Sequence, residues 1–144
     1  MSGQAGTQLG VFAKFWAPGQ VKTRLAATVG DRLAAEFHRA SLRVLLDEFR
    51  SCAERRVLCF TPDKQREAFA TLAGPSWELQ PQQEGDLGAR MRAYFDDAFQ
   101  TGSQRVVLIG ADSPQLREAS IRAALEALRQ ADVVLGPTTD GGYY

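Results

Sequence analysis

The 144-residue sequence has little cysteine, little histidine and no net charge: 17 lysines and arginines balance 17 aspartates and glutamates. The one histidine, without a Gly-x-Ser-x-Gly segment, gives little support to a hydrolase triad. Cys52 and Cys59 fit neither a metal-ligand spacing nor a disulfide framework, and such sparse cysteine is typical of a reducing cytoplasm. The lack of a basic excess argues against a nucleic-acid binder. We therefore expect a cytoplasmic protein that has no nucleic-acid partner.

Long hydrophobic runs are also missing. The longest, such as 106–109, fall far short of the roughly 20 residues of a membrane helix, so no membrane partner is expected. The first residues are polar and show no signal peptide, and we interpret 1–8 as a flexible tail. Hydrophobic residues make up 44% and charged residues 24% of the chain. These ordinary values and the length predict one globular domain over 9–144.

Short apolar strands alternate with amphipathic helices along the chain. Strands are predicted over 9–15, 56–61, 77–82, 105–111 and 132–136. Helices are predicted over 31–54, 64–72, 86–100 and around 121–128. His38, beside Arg39 in the first helix, is expected on the surface. The order predicts right-handed crossovers and a three-layer α/β/α fold with a mainly parallel five-stranded sheet.

The loops after the strands carry the unusual residues. Because the carboxyl ends of parallel strands meet at one edge of the sheet, where ligands of open α/β sheets bind, we expect these loops to lie together. The loop after the first strand contains a glycine, a hydroxyl and three cations: Lys14, Gly19, Lys22, Thr23 and Arg24. Acidic residues stand on three of the other loops: Asp86, Asp112 and Asp140.

This combination suits a phosphorylated ligand with a divalent metal. Lysine and arginine bind phosphate oxygens, and glycine lets the backbone approach a ligand closely. Mg²⁺ is commonly held by one or two carboxylates together with phosphates and water. Asp112, shortly after a buried strand, is the candidate metal ligand. The alternative is that Asp112 or Ser113 only caps the turn at Pro114.

Other residues at these loops have two interpretations each. Asp86 either contacts the phosphorylated ligand or only caps its helix. Arg90 is interpreted as a phosphate or sugar contact, the alternative being a solvated helix face. Trp16 and Tyr143 are as compatible with packing at the rim as with stacking on a base. A Walker A loop is excluded because Val21, and not glycine, directly precedes the lysine.

Four blocks of sequence, in this order, resemble a bacterial transferase family. They are Phe12–Lys14 with Pro18–Leu25, Gln82 with Gly85–Met91, Ile109–Pro114, and Gly136–Pro137 with Asp140–Tyr144. The family is radical-SAM/selenodomain-associated transferase 1, glycosyltransferase-like proteins of the GT-A nucleotide-diphospho-sugar transferase fold group. The similarity runs from about Val11 to the last residue, and the chain resembles a C-terminally truncated member.

The resemblance implies a GT-A-like fold, a nucleotide-activated donor and Mg²⁺ or Mn²⁺. It places Asp112 on the metal and Asp140 near the acceptor side, with the metal as the alternative contact of Asp140. The nucleotide-binding residues would be Lys14, Gly19, Lys22, Thr23, Arg24, Asp86 and Arg90. The catalytic residues would be Lys22, Asp112 and Asp140.

The expected function is a metal-dependent transferase that joins a nucleotide or nucleotide-sugar donor to a small-molecule acceptor, first of all by glycosyl transfer. Nucleotidyl transfer with release of pyrophosphate is the alternative, because the single acid at Asp112, in place of Asp-x-Asp, looks more like the nucleotidyltransferase relatives. The third hypothesis is a non-catalytic nucleotide-binding module. The base, the sugar, the acceptor and the oligomeric state stay open.

Overall fold

Four apolar segments form the sheet of the computed structural model, which describes residues 6–112 and 116–136. The strands are β1 (Thr7–Lys14), β2 (Arg55–Thr61), β3 (Glu78–Pro81) and β4 (Arg105–Gly110). Their spatial order is β3-β2-β1-β4, and every neighbouring pair is parallel. The chain winds outward from β1 to β3 and then returns to the other side of β1. The strand order therefore reverses between β1 and β4, which is where open α/β sheets bind ligands.

Helices cover both faces of this sheet. They are α1 (Thr23–Val29), α2 (Asp31–Phe49), α3 (Arg66–Ala73), α4 (Leu87–Gln100) and α5 (Glu118–Ala127), with a 3-10 turn over Asp63–Gln65 before α3. Strand side chains alternate between the faces. One set, including Leu58 and Phe60, packs with α2, α3 and α5. The other set, including Val57 and Cys59, packs with α4. The structure thus confirms the predicted three-layer α/β/α fold.

The helix α2 supplies much of the larger core. Its residues Leu42, Leu45 and Phe49 are buried and recur at three- and four-residue intervals. It ends at Phe49, five residues earlier than predicted, because 50–54 turn to start β2 and Cys52 keeps the apolar spacing within that turn. No helix of the described residues, α2 included, is long and apolar enough to cross a membrane.

A polar cluster closes the amino edge of the sheet, where the strands begin. Arg55 donates through Nε and Nη2 to the two oxygens of Glu78 at 2.7 and 3.0 Å. Its Nη1 donates to Thr101 Oγ1 at 2.8 Å and to Gln8 Oε1 at 3.3 Å. Gln8 is fully buried and also accepts the Ser103 hydroxyl at 2.7 Å. These residues, which we call the amino-edge cluster, are joined to one another by hydrogen bonds.

The predicted strand over 132–136 is not formed. Val133 and Leu135 are 73% and 62% exposed, and the segment makes no ladder with β4, which is an edge of the described sheet. It borders a groove of about 800 Å³ whose other walls are α4, β4 and α5. An apolar run forms a strand only when it pairs with a neighbouring strand, and 132–136 pairs with no strand among the described residues.

Three smaller expectations were also wrong. Helix α1 forms where none was predicted, because seven residues are too few to show a periodic pattern. His38 is buried and not on the surface, since α2 packs against the end of β1 and its Nε2 lies 3.0 Å from the Lys14 carbonyl oxygen. Finally, β1 begins at Thr7, so residues 7 and 8 belong to the sheet and not to a tail.

Candidate functional site

The loop after β1 turns at the carboxyl edge of the sheet. Lys14, the last residue of β1, is exposed, and so is Gly19. Gly19 has a φ of 80°, a conformation that glycine adopts without steric cost. Lys22, directly before α1, is also left-handed, with φ 51° and ψ 45°. For a lysine this conformation costs on the order of 1 kcal/mol, and such strain is often found where a side chain must be aimed.

That left-handed turn brings Lys22 to Asp112, a residue 90 positions away. Lys22 Nζ donates to Asp112 Oδ1 at 2.6 Å, and the two side chains are 20% and 76% exposed, respectively. The contact follows from the topology, because β1 and β4 are neighbours and Phe12 pairs with Gly110 near their carboxyl ends. The predicted meeting of the first-loop cations with the acid after β4 is therefore confirmed for this pair.

The Lys22 ammonium also faces an aromatic ring. Its Nζ lies 5.8 Å from the centroid of Phe37, within the range of a cation–π interaction. Sequence reasoning missed Phe37, which is half exposed although it lies in an amphipathic helix. Its three- and four-residue spacing with Leu33 and Ala40 predicted a place in the core, and such spacing does not indicate contact with a lysine.

Two other predicted nucleotide ligands stand at the start of α1. Thr23 and Arg24 occupy its first two positions, and both are exposed. With Lys14 and Lys22 they place three cations and a hydroxyl on one loop. The structure thus exposes Lys14, Thr23 and Arg24 to solvent beside the carboxyl edge, while Lys22 is mostly covered. Their contact with a nucleotide stays a prediction.

On the loop between β3 and α4, Asp86 has the capping role. Its Oδ1 accepts the Ala89 backbone N–H at 2.8 Å, which satisfies one of the free donors in the first turn of α4. The capping alternative is therefore confirmed. A contact between Asp86 and a nucleotide stays a prediction.

Arg90 does not lie on a solvated helix face, because its side chain forms hydrogen bonds within the β3–α4 loop. Its Nε donates to the Gly85 carbonyl at 2.8 Å, and its Nη1 donates to Gln82 Oε1 at 3.1 Å. Gln82 in turn donates to the Cys59 carbonyl of β2 at 3.0 Å. This chain of bonds fixes the loop on the sheet edge. Sequence reasoning did not assign Gln82 a role, although it stands in one of the four resembling blocks.

Trp16 packs at the rim of the first loop. Its ring lies 4.7 Å from the ring of Phe15 and 5.2 Å from that of Phe69, measured between centroids. Arg39 covers it, with the guanidinium carbon 5.7 Å from the centroid. These contacts favour the packing interpretation of Trp16 and add an exposed cation that the sequence did not single out.

Several predicted residues lie outside the described residues. Asp140 and Tyr143 are among them, and so are Ser113 and Pro114, which the capping alternative for Asp112 requires. The predictions for these residues therefore stay predictions.

The acidic residues of the described ranges form no cluster of three or more potential metal ligands. Asp112 thus offers a single, largely exposed carboxylate. That donor fits a Mg²⁺ or Mn²⁺ ion whose other ligands include phosphate oxygens and water. The ammonium at Oδ1 shows that this carboxylate accepts a cation.

Neither cysteine suits nucleophilic catalysis. Burial raises the pKa of the Cys52 thiol to about 11 and that of Cys59 to about 12. Both thiols therefore stay protonated at neutral pH, where the thiolate would be the nucleophile. Covalent catalysis through cysteine has no support in this chain.

Comparisons with known proteins show the family and the fold of this chain. The family model described as "Uncharacterized protein conserved in bacteria (DUF2064)" matches residues 45–144. A 3-phospho-D-glycerate guanylyltransferase from Phenylobacterium zucineum (strain HLK1) is 35% identical over 126 residues, which cover 84% of this chain and 57% of that protein.

A solved structure shows the same fold. It is the crystal structure of a protein from Desulfovibrio desulfuricans G20 that is assigned to the nucleotide-diphospho-sugar transferases, with a TM-score of 0.92 and 34% identity. The match covers 98% of this chain and 62% of that one. The chain thus has the nucleotide-diphospho-sugar transferase fold and spans about three fifths of the length of both proteins.

Proposed function

The chain belongs to the bacterial family DUF2064, and from this membership and the site we propose that it is a metal-dependent transferase with a nucleotide-activated donor. We further propose that the group it transfers is a nucleotidyl group. The observation that carries the proposal is the ion pair between Lys22 Nζ and Asp112 Oδ1, 2.6 Å apart at the point where the strand order reverses. An ammonium suits phosphate and a carboxylate suits a divalent metal, so their contact supports one site for both functions.

Two observations favour nucleotidyl over glycosyl transfer. The relative from Phenylobacterium is a guanylyltransferase, and the match to it includes 84% of this chain. Asp112 is a single acid and not one of an Asp-x-Asp pair. Glycosyl transfer is the second candidate, supported by the match to the Desulfovibrio protein. The finer resemblance to radical-SAM/selenodomain-associated transferase 1 stays a prediction.

In the proposed reaction an oxygen of a phosphorylated acceptor attacks the α-phosphorus of a nucleoside triphosphate. A bond forms between that oxygen and the α-phosphorus, while the bond from the α-phosphorus to the bridging oxygen breaks. Pyrophosphate leaves with the bonding electrons, so negative charge develops on it. Lys22, together with Lys14 and Arg24, stabilises this charge.

Asp112 would hold Mg²⁺ or Mn²⁺. When bound, such an ion supplies positive charge beside the phosphate oxygens. Gly19 would allow the backbone to approach the phosphates, and Thr23 would donate its hydroxyl to them. Asp140 would lie on the acceptor side.

The loop braced by Arg90 contributes differently. Because Asp86 and Arg90 are engaged in bonds within the loop, their part in nucleotide binding is to fix its shape. A fixed loop loses less conformational freedom when a ligand binds, and that favours affinity.

A product assay tests the proposal. The protein is incubated with Mg²⁺ and either nucleoside triphosphates plus 3-phosphoglycerate or a panel of nucleotide-sugars. We expect pyrophosphate from a triphosphate, and its loss in Asp112→Asn. Release of a nucleoside diphosphate from a nucleotide-sugar would support glycosyl transfer instead. Nucleotide binding without either product would support a binding module.

A further inference from the structure

The metal-binding carboxylate of the proposed function already has a cationic partner. Lys22 Nζ lies 2.6 Å from Asp112 Oδ1, although the carboxylate is 76% exposed and could be satisfied by water. Among residues 6–112 and 116–136, Asp112 belongs to no group of three or more potential metal ligands, so Lys22 is its strongest charged contact there. A metal that binds Oδ1 must therefore displace the ammonium or share the oxygen with it.

The ammonium is held in this position. The Lys22 side chain is only 20% exposed, and its nitrogen lies over the Phe37 ring at 5.8 Å from the centroid. The left-handed backbone at Lys22 aims the side chain across the end of the sheet. A lysine carried on a regular, solvated helix face would sample many rotamers, but this one is confined beside the carboxylate.

We propose that Lys22 is a resident counter-ion that keeps divalent metal off Asp112 until the phosphates of a nucleotide draw the ammonium away. This inference rests on the proposed function. It adds an order of binding, in which the metal binds Asp112 only together with the nucleotide. In the free protein Lys22 neutralises Asp112. In the complex Lys22 binds phosphate, and the carboxylate becomes free to bind the metal.

The energetics suit an exchange of this kind. An ion pair with an exposed carboxylate is weak, so it competes with a metal ion for Asp112 and can still be displaced. A hydrogen bond from an ammonium to a charged phosphate is of the stronger class. By linkage, the factor by which nucleotide raises metal affinity equals the factor by which metal raises nucleotide affinity. Removing Lys22 should lower that shared factor.

The test is a Mn²⁺ titration followed by the electron paramagnetic resonance signal of the free ion. It compares the parent protein with Lys22→Met, which keeps an apolar stem against Phe37, and with Lys22→Gln as a second neutral side chain. Arg129→Met is the matched control, because it also removes one cation from an exposed ion pair, with Glu126 at 3.0 Å. Each protein is titrated with MnCl₂ alone and with MnCl₂ plus GDP, after correction for Mn²⁺ bound by GDP in solution.

We expect both Lys22 variants to bind Mn²⁺ alone at least about threefold more tightly than the parent, consistent with loss of a weak competing ion pair. We expect GDP to raise Mn²⁺ affinity less in these variants than in the parent, and Arg129→Met to behave as the parent does. Equal Mn²⁺ affinity of the parent and both Lys22 variants without GDP would overturn the inference. So would tight Mn²⁺ binding by the parent alone.

Failure of the underlying function gives a different result. If Asp112→Asn leaves GDP-dependent Mn²⁺ binding unchanged, Asp112 holds no metal and the proposed function is wrong. If Asp112→Asn abolishes that binding while Lys22→Met and Lys22→Gln bind Mn²⁺ alone as the parent does, only the counter-ion role is wrong.

Discussion

Two ion pairs of nearly equal length stand at opposite edges of the sheet. Arg55 and Glu78 meet at 2.7 Å where the strands begin, and Lys22 and Asp112 meet at 2.6 Å where the strands end. Their surroundings differ. Arg55 makes two bonds to Glu78 and one each to Thr101 and Gln8, whereas the Lys22 ammonium has one hydrogen-bond partner among the described residues and an aromatic face.

The difference separates a structural ion pair from an exchangeable one. In the amino-edge cluster the Arg55 guanidinium bonds to both carboxylate oxygens of Glu78. This hydrogen bonding to Glu78 raises the pKa of Arg55 above its usual value. An ammonium has three donors, so Lys22 keeps capacity for a further acceptor such as phosphate. Similar distances therefore do not imply similar roles, and the number of satisfied donors is the more informative quantity.

The largest effect expected is the loss of activity in Asp112→Asn. Without the carboxylate, the metal loses its protein ligand, and we expect turnover to fall about 10²- to 10³-fold, the range for loss of one group that stabilises developing charge. Stability should not change, because an exposed pair contributes little. Steady-state kinetics and urea unfolding check the two statements. Retained activity would remove Asp112 from the site.

The reverse pattern is expected for Arg55→Met. It breaks four hydrogen bonds of the amino-edge cluster and leaves Gln8 with one fewer partner, so we expect a loss of roughly 1.5 to 3 kcal/mol in the free energy of unfolding, measured in urea. Nucleotide affinity should stay unchanged. The matched control is Arg32→Met, which breaks an ion pair whose arginine is 89% exposed and should cost less than about 0.5 kcal/mol. Equal destabilisation by the two variants would contradict the comparison.

Lys22→Met should weaken nucleotide binding without unfolding the protein. The expected loss is roughly 1.5 to 3 kcal/mol in binding free energy, the range for a hydrogen bond to a charged group. Isothermal titration with GDP and Mn²⁺ measures it. An unchanged dissociation constant would show that Lys22 does not contact the phosphates.

The smallest effect is expected from Arg90→Lys. A lysine keeps the charge but cannot bond Gly85 and Gln82 through one rigid fork, so the β3–α4 loop should loosen and nucleotide affinity should fall by about two- to tenfold. Arg92→Lys is the control on the same helix, because the Arg92 side chain is 85% exposed. Equal affinities in the two variants would show that the brace does not matter for binding.

Much of this architecture could be predicted from periodicity. The alternation of strands and helices predicts the parallel sheet. Because the strands of such a sheet end at one edge, the sequence also predicts that Lys22 and Asp112 lie near each other. Their direct contact could not be predicted, because it depends on the left-handed turn at Lys22, and a lysine gives no sign of that conformation.

The other features that the sequence did not predict also depend on contacts between distant parts of the chain. The run over 132–136 has strand composition, but strand formation needs a pairing partner that composition does not identify. The sequence predicts a surface position for His38 because it does not show that α2 packs against the end of β1. The brace from Arg90 to Gln82 crosses a turn at Gly85, where φ is 114°, and no helical or strand spacing signals it.

A crystal structure of the protein with GDP and Mn²⁺ tests the central claim most directly, because anomalous scattering locates the metal. The account predicts manganese within coordination distance of Asp112 and Lys22 Nζ on a phosphate oxygen of GDP, no longer on the carboxylate. A nucleotide bound elsewhere, or manganese absent from Asp112 while Lys22 stays paired with it, would contradict the account.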